Sequence, residues 1–377
     1  MTARNKTTPW VRLGDYIEEC DERLGGNTSI LIKGIKLNEG FIPTVANTFG
    51  IDSSKYKKVA LQNFACNLMH VGRDIAIPIA YNSSTSPIAV SPAYYVFQIK
   101  ESKKNLILDT YLNIILVREE FGRLAWFYTD NSIRGNISDK TFCDIRILLP
   151  SIEVQQELVD TYTGLQRLAE DNEALIAPLS KACQAFIVDC QKKYPSVELG
   201  KYVEECDERN TDGKYTLDDV RGISIEKKLI PTKANMEGVS LGSYKLLKPL
   251  NFSYVTVTSR NGQKITLALN REKATHLVSS SYIVFKTDNR LLPEYLYLLL
   301  SREEFDRYAR FNSWGSARET FSWEELCRVQ IPLPPLVVQQ SIVNLYHCIE
   351  EAKKIASEAR AQLQTLCPAL IQYAEYN

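Results

Sequence analysis

Four carboxylates and one thiol fill five consecutive positions of this sequence, and the cluster occurs twice. The first copy consists of Glu18, Glu19, Cys20, Asp21 and Glu22, and the second of Glu204, Glu205, Cys206, Asp207 and Glu208. Grouped carboxylates can hold a metal ion or exchange protons, and a cysteine beside a base can act as a nucleophile. However, no histidine lies near either copy, and Arg23 and Arg209 adjoin the acids. We therefore interpret both clusters as the charged edge of a helix or strand, and both cysteines as structural.

The rest of the sequence also lacks patterns of catalysis. The three histidines, His70, His276 and His347, have no metal-ligand spacing, and no GxGxxG, GxxxxGK[ST] or Asn/Asp-Pro-Pro-aromatic motif occurs. Nine cysteines without a CxxC pair are typical of a reduced, cytoplasmic protein. No apolar run approaches the ~18 residues of a membrane helix, and the first residues lack the apolar core of a signal peptide. We therefore expect a cytoplasmic protein without a metal, a cofactor or a membrane partner, and the missing motifs argue against an autonomous methyltransferase or helicase.

The acidic cluster belongs to a repeat that covers almost the whole chain. LGDYIEECDER at 13–23 returns as LGKYVEECDER at 199–209, with nine of eleven positions identical. Further pairs follow in the same order: SPAYYVF at 91–97 with SSSYIVF at 279–285, REEF at 118–121 and at 302–305, Arg134 with Arg318, and Gln155-Gln156 with Gln339-Gln340. The offset of 184 to 188 residues is far longer than a solenoid repeat of roughly 20–50 residues. The sequence therefore predicts two copies of one domain.

A stretch with the apolar spacing of a long helix follows each copy. In both stretches, large apolar residues recur at threes and fours over about 40 residues, or roughly 60 Å of helix. Ser151 is a plausible N-cap, whereas Pro178 and Pro368 should kink or end their helices. The matching stripes favour an antiparallel coiled-coil pair, and the alternative is that each helix packs only on its own domain. We predict the boundaries 1–150, 151–195, 196–334 and 335–377.

Both copies have the mixed pattern of an α/β (α+β) domain. Alternating, β-branched segments at 91–99 and 253–258 predict strands, and 106–125 and 291–309 predict amphipathic helices. If the two long helices are antiparallel, the chain's last residues return to the first domain. The predicted architecture is therefore pseudo-two-fold symmetric, with two duplicated domains separated by two long helices.

The charge of the chain gives only a weak indication of its partner. Lys and Arg balance Asp and Glu at 45 each, although residues 1–150 carry a net charge of +3 and residues 196–334 a net charge of +1. This bias does not by itself establish a nucleic-acid partner. Near-neutrality supports an alternative, a protein–protein scaffold with two related binding globules on a coiled-coil frame. A third reading, an enzyme with a shared site, is disfavoured because no nucleophile–base pair is duplicated.

Over essentially its full length, the chain resembles the specificity subunit of type I restriction–modification systems. The resemblance rests on the duplicated block, on the SPAYYVF and SSSYIVF segments, on the REEF segments, and on SIRGNISDKTFCDIRILLPSIEVQQ and SARETFSWEELCRVQIPLPPLVVQQ, which enter the long helices. It implies that the two globules are target recognition domains and that the two helices are spacers. It also implies that the chain itself catalyses no reaction.

The resemblance implies a set of partners. The chain would bind double-stranded DNA at a split, asymmetric target and dock two modification subunits, which transfer methyl groups from S-adenosylmethionine to adenine N6. Two restriction subunits, which use ATP and Mg²⁺, are optional further partners. The straight helix expected at 151–177 would be roughly 40 Å long, close to the 34–36 Å between two readers on one face of DNA.

Residues that differ between the copies are the candidates for contacting DNA, because persisting residues build the common scaffold. Asn suits adenine, whereas Arg and Lys suit guanine or phosphate. The first copy offers Lys57, Lys58, Asn63, Asn67, Arg73, Asn82 and Ser84. The second offers Tyr254, Ser259, Arg260, Asn261, Lys264 and Arg271, with Asn261-Gly262 at the tip of an expected hairpin. Arg134 and Arg318 are candidates for a different reason: they recur in both copies, where they could contact phosphates or form structural ion pairs. Each could equally be an ordinary solvated residue, and Trp314 is expected in the core.

Overall fold

A computed structural model describes residues 8–25, 29–37, 40–44, 52–69, 71–130, 132, 135–258, 264–315 and 318–376. Side chains are described for these residues except 73 and 366–376. The chain forms two compact units, one comprising Met1–Glu170 with Ala356–Asn377 and the other Asp171–Ile355. The last residues thus belong to the same unit as the first domain, which confirms the expected return of the chain. No helix of the described part has the length and apolar character needed to cross a membrane.

The first copy is built around an antiparallel four-stranded sheet. Its elements are β1 (Trp10–Arg12), β2 (Ile17–Glu19), β3 (Lys33–Lys36), β4 (Gly40–Pro43), β5 (Lys57–Val59), β6 (Phe64–Cys66), α1 (Val71–Asp74), β7 (Ile79–Tyr81), β8 (Ile88–Val90), β9 (Tyr95–Ile99), α2 (Asp109–Leu116), α3 (Glu119–Phe127), α4 (Asp139–Asp144), β10 (Arg146–Leu148) and the long helix α5 (Ile152–Lys193). The sheet has the order β2-β9-β6-β7, and the pairs β1-β10, β3-β4 and β5-β8 flank it.

The second copy repeats this topology strand for strand. Its elements are β11 (Ser196–Glu198), β12 (Val203–Glu205), β13 (Arg221–Ile223), β14 (Leu229–Pro231), β15 (Lys245–Leu247), β16 (Phe252–Val255), β17 (Leu267–Leu269), β18 (His276–Val278), β19 (Tyr282–Thr287), α6 (Pro293–Leu300), α7 (Glu303–Phe311), α8 (Trp323–Cys327), β20 (Gln330–Pro332) and the long helix α9 (Leu336–Tyr376). The central sheet has the order β12-β19-β16-β17, and β11-β20, β13-β14 and β15-β18 are paired. The duplicated α/β fold predicted from the repeat is confirmed.

The same pair of stacked aromatic rings lies at the centre of each sheet. Phe64 faces Phe97 across β6 and β9, with ring centroids 5.0 Å apart, and Phe252 faces Phe285 across β16 and β19 at 4.8 Å. All four side chains are completely buried. Cross-strand aromatic pairs stabilise a sheet beyond the apolar area that they bury. The persistence of Asn-Phe at 63–64 and 251–252 therefore reflects the core of each sheet.

The helix that follows each central sheet is interrupted, contrary to the single helices expected at 106–125 and 291–309. Arg118 and Arg302, the first residues of the two REEF segments, are extended with ψ of 147° and 152°, which separates α2 from α3 and α6 from α7. At the break between α6 and α7, Arg302 Nη2 forms an ion pair with Glu304 Oε1 at 2.8 Å. The strand expected at 91–99 is also shorter, because residues 91–94 form a turn between β8 and β9.

The two long helices form as predicted, but neither ends at its proline. Helix α5 continues through Pro178, and the backbone of α9 is helical through Pro368. In the second unit, Ile187 of α5 and Ile342 of α9 lie in one apolar cluster. Each compact unit contains the first part of one helix and the last part of the other, so the helices are antiparallel. Burial along a partner helix offsets the ~3 kcal/mol cost of an internal proline.

A buried glutamine at the start of each long helix fixes that helix to its domain. Gln155 is fully buried, accepts a hydrogen bond from Leu108 N at 2.9 Å, and donates to the carbonyls of Leu106 at 2.9 Å and Pro150 at 2.8 Å. Gln339 makes the equivalent bonds to Leu292 N and to the carbonyls of Arg290 and Pro334. A glutamine amide presents both donors and an acceptor, which explains why this residue type recurs in both copies.

Replacing Gln339 by alanine should therefore lower the free energy of unfolding by about 1–3 kcal/mol, because buried backbone groups lose their partners. Gln340 provides the matched control, since it is exposed and bonds only to Asn344 in its own helix. The Gln340→Ala variant should change stability by less than ~0.5 kcal/mol. Urea unfolding followed by circular dichroism measures both variants. Equal stability of the two would show that Gln339 does not anchor the helix.

Candidate nucleic-acid interface

The duplicated acids hold a buried lysine in each domain. Lys57 is 7% exposed, and its Nζ lies 3.3 Å from Glu19 Oε1 and 3.2 Å from Asp21 Oδ1. Arg23 and Lys57 donate hydrogen bonds to Asp21, which lowers the pKa of that carboxyl group. These charges neutralise one another at the edge strand β2. The first acidic cluster is therefore structural, as the sequence indicated.

The second domain repeats this arrangement with its own lysine. Lys245 is 5% exposed and lies 3.1 Å from Asp207, whose pKa is lowered by hydrogen bonds from Arg209 and Lys245. Burial raises the pKa of both repeat-partner thiols, Cys20 and Cys206, which disfavours the nucleophilic thiolate. Within the described part of the chain, no group of three or more His, Cys, Asp or Glu side chains could hold a metal ion.

In the first domain, the segment that differs most between the copies is hydrogen-bonded to the loop between α3 and α4. Ile137 N donates to Leu68 O at 3.0 Å, and Gly72 N donates to Gly135 O at 3.0 Å. Arg134 belongs to this loop in the sequence but lies outside the described residues. The fold thus joins a variable segment to the loop that carries a repeated arginine.

The second domain joins the equivalent segments with equivalent backbone bonds. Phe321 N donates to Thr256 O at 2.8 Å, and Thr258 N donates to Glu319 O at 3.0 Å. Arg318 lies in this loop, and its side chain is exposed. The bonds of Thr256 and Thr258 thus join the divergent segment of the second domain to the loop that carries the exposed Arg318.

Both loops are closed by a hydrogen bond between the same repeat positions. Asp130 N donates to Asn136 O at 2.8 Å, whereas Trp314 and Thr320 exchange two backbone bonds at 3.1 and 3.0 Å. The Trp314 side chain is 64% exposed, so the prediction that it lies in the core is wrong. We define loop A as residues 130–136 and loop B as residues 314–320.

An exposed phenylalanine precedes each loop at the same repeat position. Phe127 and Phe311 are the last residues of α3 and α7, and each side chain is 77% exposed. Exposed aromatic rings and arginines can stack on bases, enter a base step or contact phosphates. Neither phenylalanine was among the predicted DNA contacts, although their identical position after the REEF segments could have identified them.

Four of the predicted DNA-contacting residues are buried and have structural roles. Tyr254 has no exposed surface and packs against Phe285 and Phe321. The other three are Lys57, at 7% exposure, Asn63, at 6%, and Asn82, at 2%. Asn82 donates to the carbonyls of Val59, Ala60 and Ser86 and so closes a turn. A buried side chain does not present its polar atoms to a base edge, so the burial of these four residues argues against the predicted DNA contacts.

The remaining predicted residues fall into three groups. Lys58, Ser84 and Arg271 lie elsewhere on the surface, where Lys58 pairs with Glu22 at 2.8 Å and Ser84 caps the Asn82 turn. Asn67, Lys264 and Arg318 are at least partly exposed and adjoin the variable segments. Arg134, Ser259, Arg260 and Asn261 lie outside the described residues, as does the side chain of Arg73. The candidate interface therefore centres on loops A and B and on the segments bonded to them.

Comparison with known proteins supports the duplicated architecture. The chain is similar to the type I restriction-modification S subunit of M. genitalium, with 12% identity over 100% of this chain and 98% of that one, and a TM-score of 0.58. A second similar structure is the HsdS subunit of Thermoanaerobacter tengcongensis, with 15% identity, 99% and 97% coverage, and a TM-score of 0.46. At such low identity, the first likeness shows a shared fold. No curated protein sequence matches the chain.

A family model gives the more specific match. Residues 215–364 match the type I restriction modification DNA specificity domain. This range contains the variable segment of the second domain, loop B and the first part of α9. Over residues 215–364, the chain is therefore similar to type I restriction modification DNA specificity domains, and the resemblance that its duplicated motifs indicated is confirmed.

Proposed function

We propose that this chain is the DNA sequence-recognition subunit of a type I restriction–modification complex. The observation that carries the proposal is the duplicated surface in which a variable segment is bonded to a loop with a repeated arginine. The variable segment supplies base contacts, and the arginine and nearby polar groups bind the phosphate backbone. The chain itself is non-catalytic in this account.

Because the two domains share a scaffold but differ in their variable segments, the proposed target is split and asymmetric. Each domain reads one half, and the helices α5 and α9 set the unread gap between the halves. The length of roughly 40 Å expected for a straight helix at 151–177 does not set the gap, because α5 continues beyond Pro178 to Lys193. The gap is therefore left to experiment.

Two adenine-N6 methyltransferase subunits are the proposed protein partners. A pair of identical partners requires two copies of one surface, and the fold that both domains share provides them. S-adenosylmethionine would bind to those subunits. Restriction subunits using ATP and Mg²⁺ could join the same assembly.

The proposal is tested by the salt dependence of DNA binding by the assembled complex. Replacing Arg318 by alanine should weaken binding and reduce the slope of log K against log salt by about 1, because one phosphate contact is lost. The matched control is Arg307→Ala, since Arg307 is exposed on α7 and lies near Glu303 at 3.8 Å. The control should leave the slope unchanged. A salt-independent interaction of the complex would instead favour the protein–protein scaffold.

A further inference from the structure

Arg271 of the second domain is sandwiched between two tyrosines instead of facing DNA. The centre of its guanidinium lies 4.3 Å from the ring centroid of Tyr297 and 5.1 Å from that of Tyr346. Its Nη1 also lies 3.4 Å from the Tyr346 hydroxyl. Tyr297 belongs to α6 and Tyr346 to α9, so the guanidinium fills the space between the domain and the long helix. An arginine at this position is held mainly by cation–π contacts.

The repeat identifies the position in the first domain that is equivalent to Arg271. Asn82 and Asn270 close the same turn, with Asn82 donating to Ser86 O at 3.2 Å and Asn270 donating to Ala274 O at 2.9 Å. The residue after each asparagine is Ser83 in the first copy and Arg271 in the second. A short hydroxyl side chain therefore stands where the second domain has a long guanidinium.

The residues that surround Ser83 are also related by the repeat to those that surround Arg271. Tyr162 of α5 occupies the position of Tyr346, and Asn113 of α2 occupies the position of Tyr297. Without an arginine, the first domain has a cleft of about 550 Å³. The polar residues that line it include Lys33, Ser83, Ser84, Asn113, Tyr162 and Gln166.

The lining of this cleft suits a guanidinium group. Tyr162 offers an aromatic ring, while the amide oxygens of Asn113 and Gln166 are uncharged acceptors for the five N–H donors of a guanidinium. Lys33 also lines the cleft, and Arg221 occupies its position in the second domain, where Arg271 is accommodated. The Arg221 side chain turns to the carbonyls of Asp218 and Val220.

We infer that the cleft of the first domain binds an arginine side chain supplied by a docked protein partner. The second domain carries this arginine within its own chain as Arg271. The inference takes the partner, a modification subunit, from the proposed function. The two docking surfaces then differ, because the second domain already contains the arginine and the first domain receives it from the partner on assembly.

The test uses the full chain without partners and a small probe, N-acetyl-arginine amide, followed by ligand-observed NMR. We expect weak, saturable binding, on the order of millimolar, at one site. N-acetyl-lysine amide should bind about tenfold more weakly, because an ammonium lacks the planar, forked donors of a guanidinium. N-acetyl-glutamate amide should not bind.

Two reciprocal variants assign the site. Ser83→Arg should fill the cleft and abolish probe binding, whereas Arg271→Ser should open the equivalent site and raise the stoichiometry to two. Unchanged probe binding in Ser83→Arg, equal binding of the lysine probe or a preference for the glutamate probe would overturn the inference. These outcomes are independent of DNA binding, so they are distinguishable from failure of the proposed function.

Discussion

Replacing Asp306 by alanine should destabilise the second domain by about 3–5 kcal/mol, because the variant leaves a buried ammonium without its counter-ion. Lys227 and Asp306 are 6% and 7% exposed, and Lys227 Nζ lies 2.7 Å from Asp306 Oδ1. The same carboxylate oxygen accepts a hydrogen bond from Ile265 N at 3.1 Å. Loss of the carboxylate therefore affects the ammonium and a backbone donor together.

The pH dependence of this loss follows from the pKa of Lys227. Burial lowers that pKa from 10.5, against the opposing effect of the hydrogen bond that Lys227 donates to Asp306. Between the lowered pKa of the folded state and 10.5, the unfolded chain binds more protons than the folded chain, so stability rises with pH. Removing Asp306 lowers the pKa of Lys227 in the folded state further, which widens this pH range. The loss of stability in the Asp306→Ala variant should therefore become smaller as pH rises through the wider range.

Urea unfolding provides the measurement, and two further variants control it. Glu303→Ala changes a carboxylate on the same helix whose side chain is 89% exposed, so it should cost less than ~0.5 kcal/mol. The double variant Lys227→Met, Asp306→Ala should recover much of the loss, because no unpaired charge remains. If Asp306→Ala were no more damaging than Glu303→Ala, the ion pair would not stabilise the domain.

Replacing Gly315 by alanine should have the second large effect, because loop B leaves no room for a Cβ atom. Gly315 has φ of +141°, and a Cβ there would clash with the Arg318 carbonyl oxygen. The backbone conformation alone should cost about 1–3 kcal/mol in a residue with a side chain. Since relief of the clash must move the backbone of loop B, DNA binding by the assembled complex should weaken as well.

Gly213→Ala is the matched control for this substitution. Gly213 also has a positive φ, of +67°, but a Cβ there would meet no atom within 4 Å. The control should therefore show a cost of about 1–2 kcal/mol from its left-handed backbone and unchanged DNA binding. Thermal unfolding and DNA titration of both variants measure the two effects. If both variants bound DNA with equal affinity, the shape of loop B would not contribute to DNA recognition.

The repeated scaffold was predictable because the same residue type meets the same structural requirement in both copies. Gln155 and Gln339 persist because each satisfies buried backbone groups, and Phe64 and Phe252 persist because each stacks in a sheet. The interruption of the helices at the REEF segments was missed, since apolar periodicity continues across one extended residue. Of the two outcomes expected at Pro178, a kink or a helix end, the second is wrong, because packing along a partner helix is not visible in local sequence.

The site was harder to predict because divergence does not imply exposure. Asn82 and Tyr254 look like surface candidates in a divergent polar stretch, yet one closes a turn and the other fills the core. Arg271 looks like a DNA contact, yet its guanidinium lies between two tyrosines. In each case, the partner that satisfies the side chain is distant in sequence or is a backbone group.

The most direct test of the central claim is long-read methylation sequencing of a host that lacks other adenine methylation and expresses this chain with its modification subunit. The account predicts N6-methyladenine at one bipartite motif, whose halves differ in sequence and are separated by a fixed unread gap. A chain that leaves no methylated motif, or a continuous motif with no gap, would contradict the assignment of two separate DNA-reading domains.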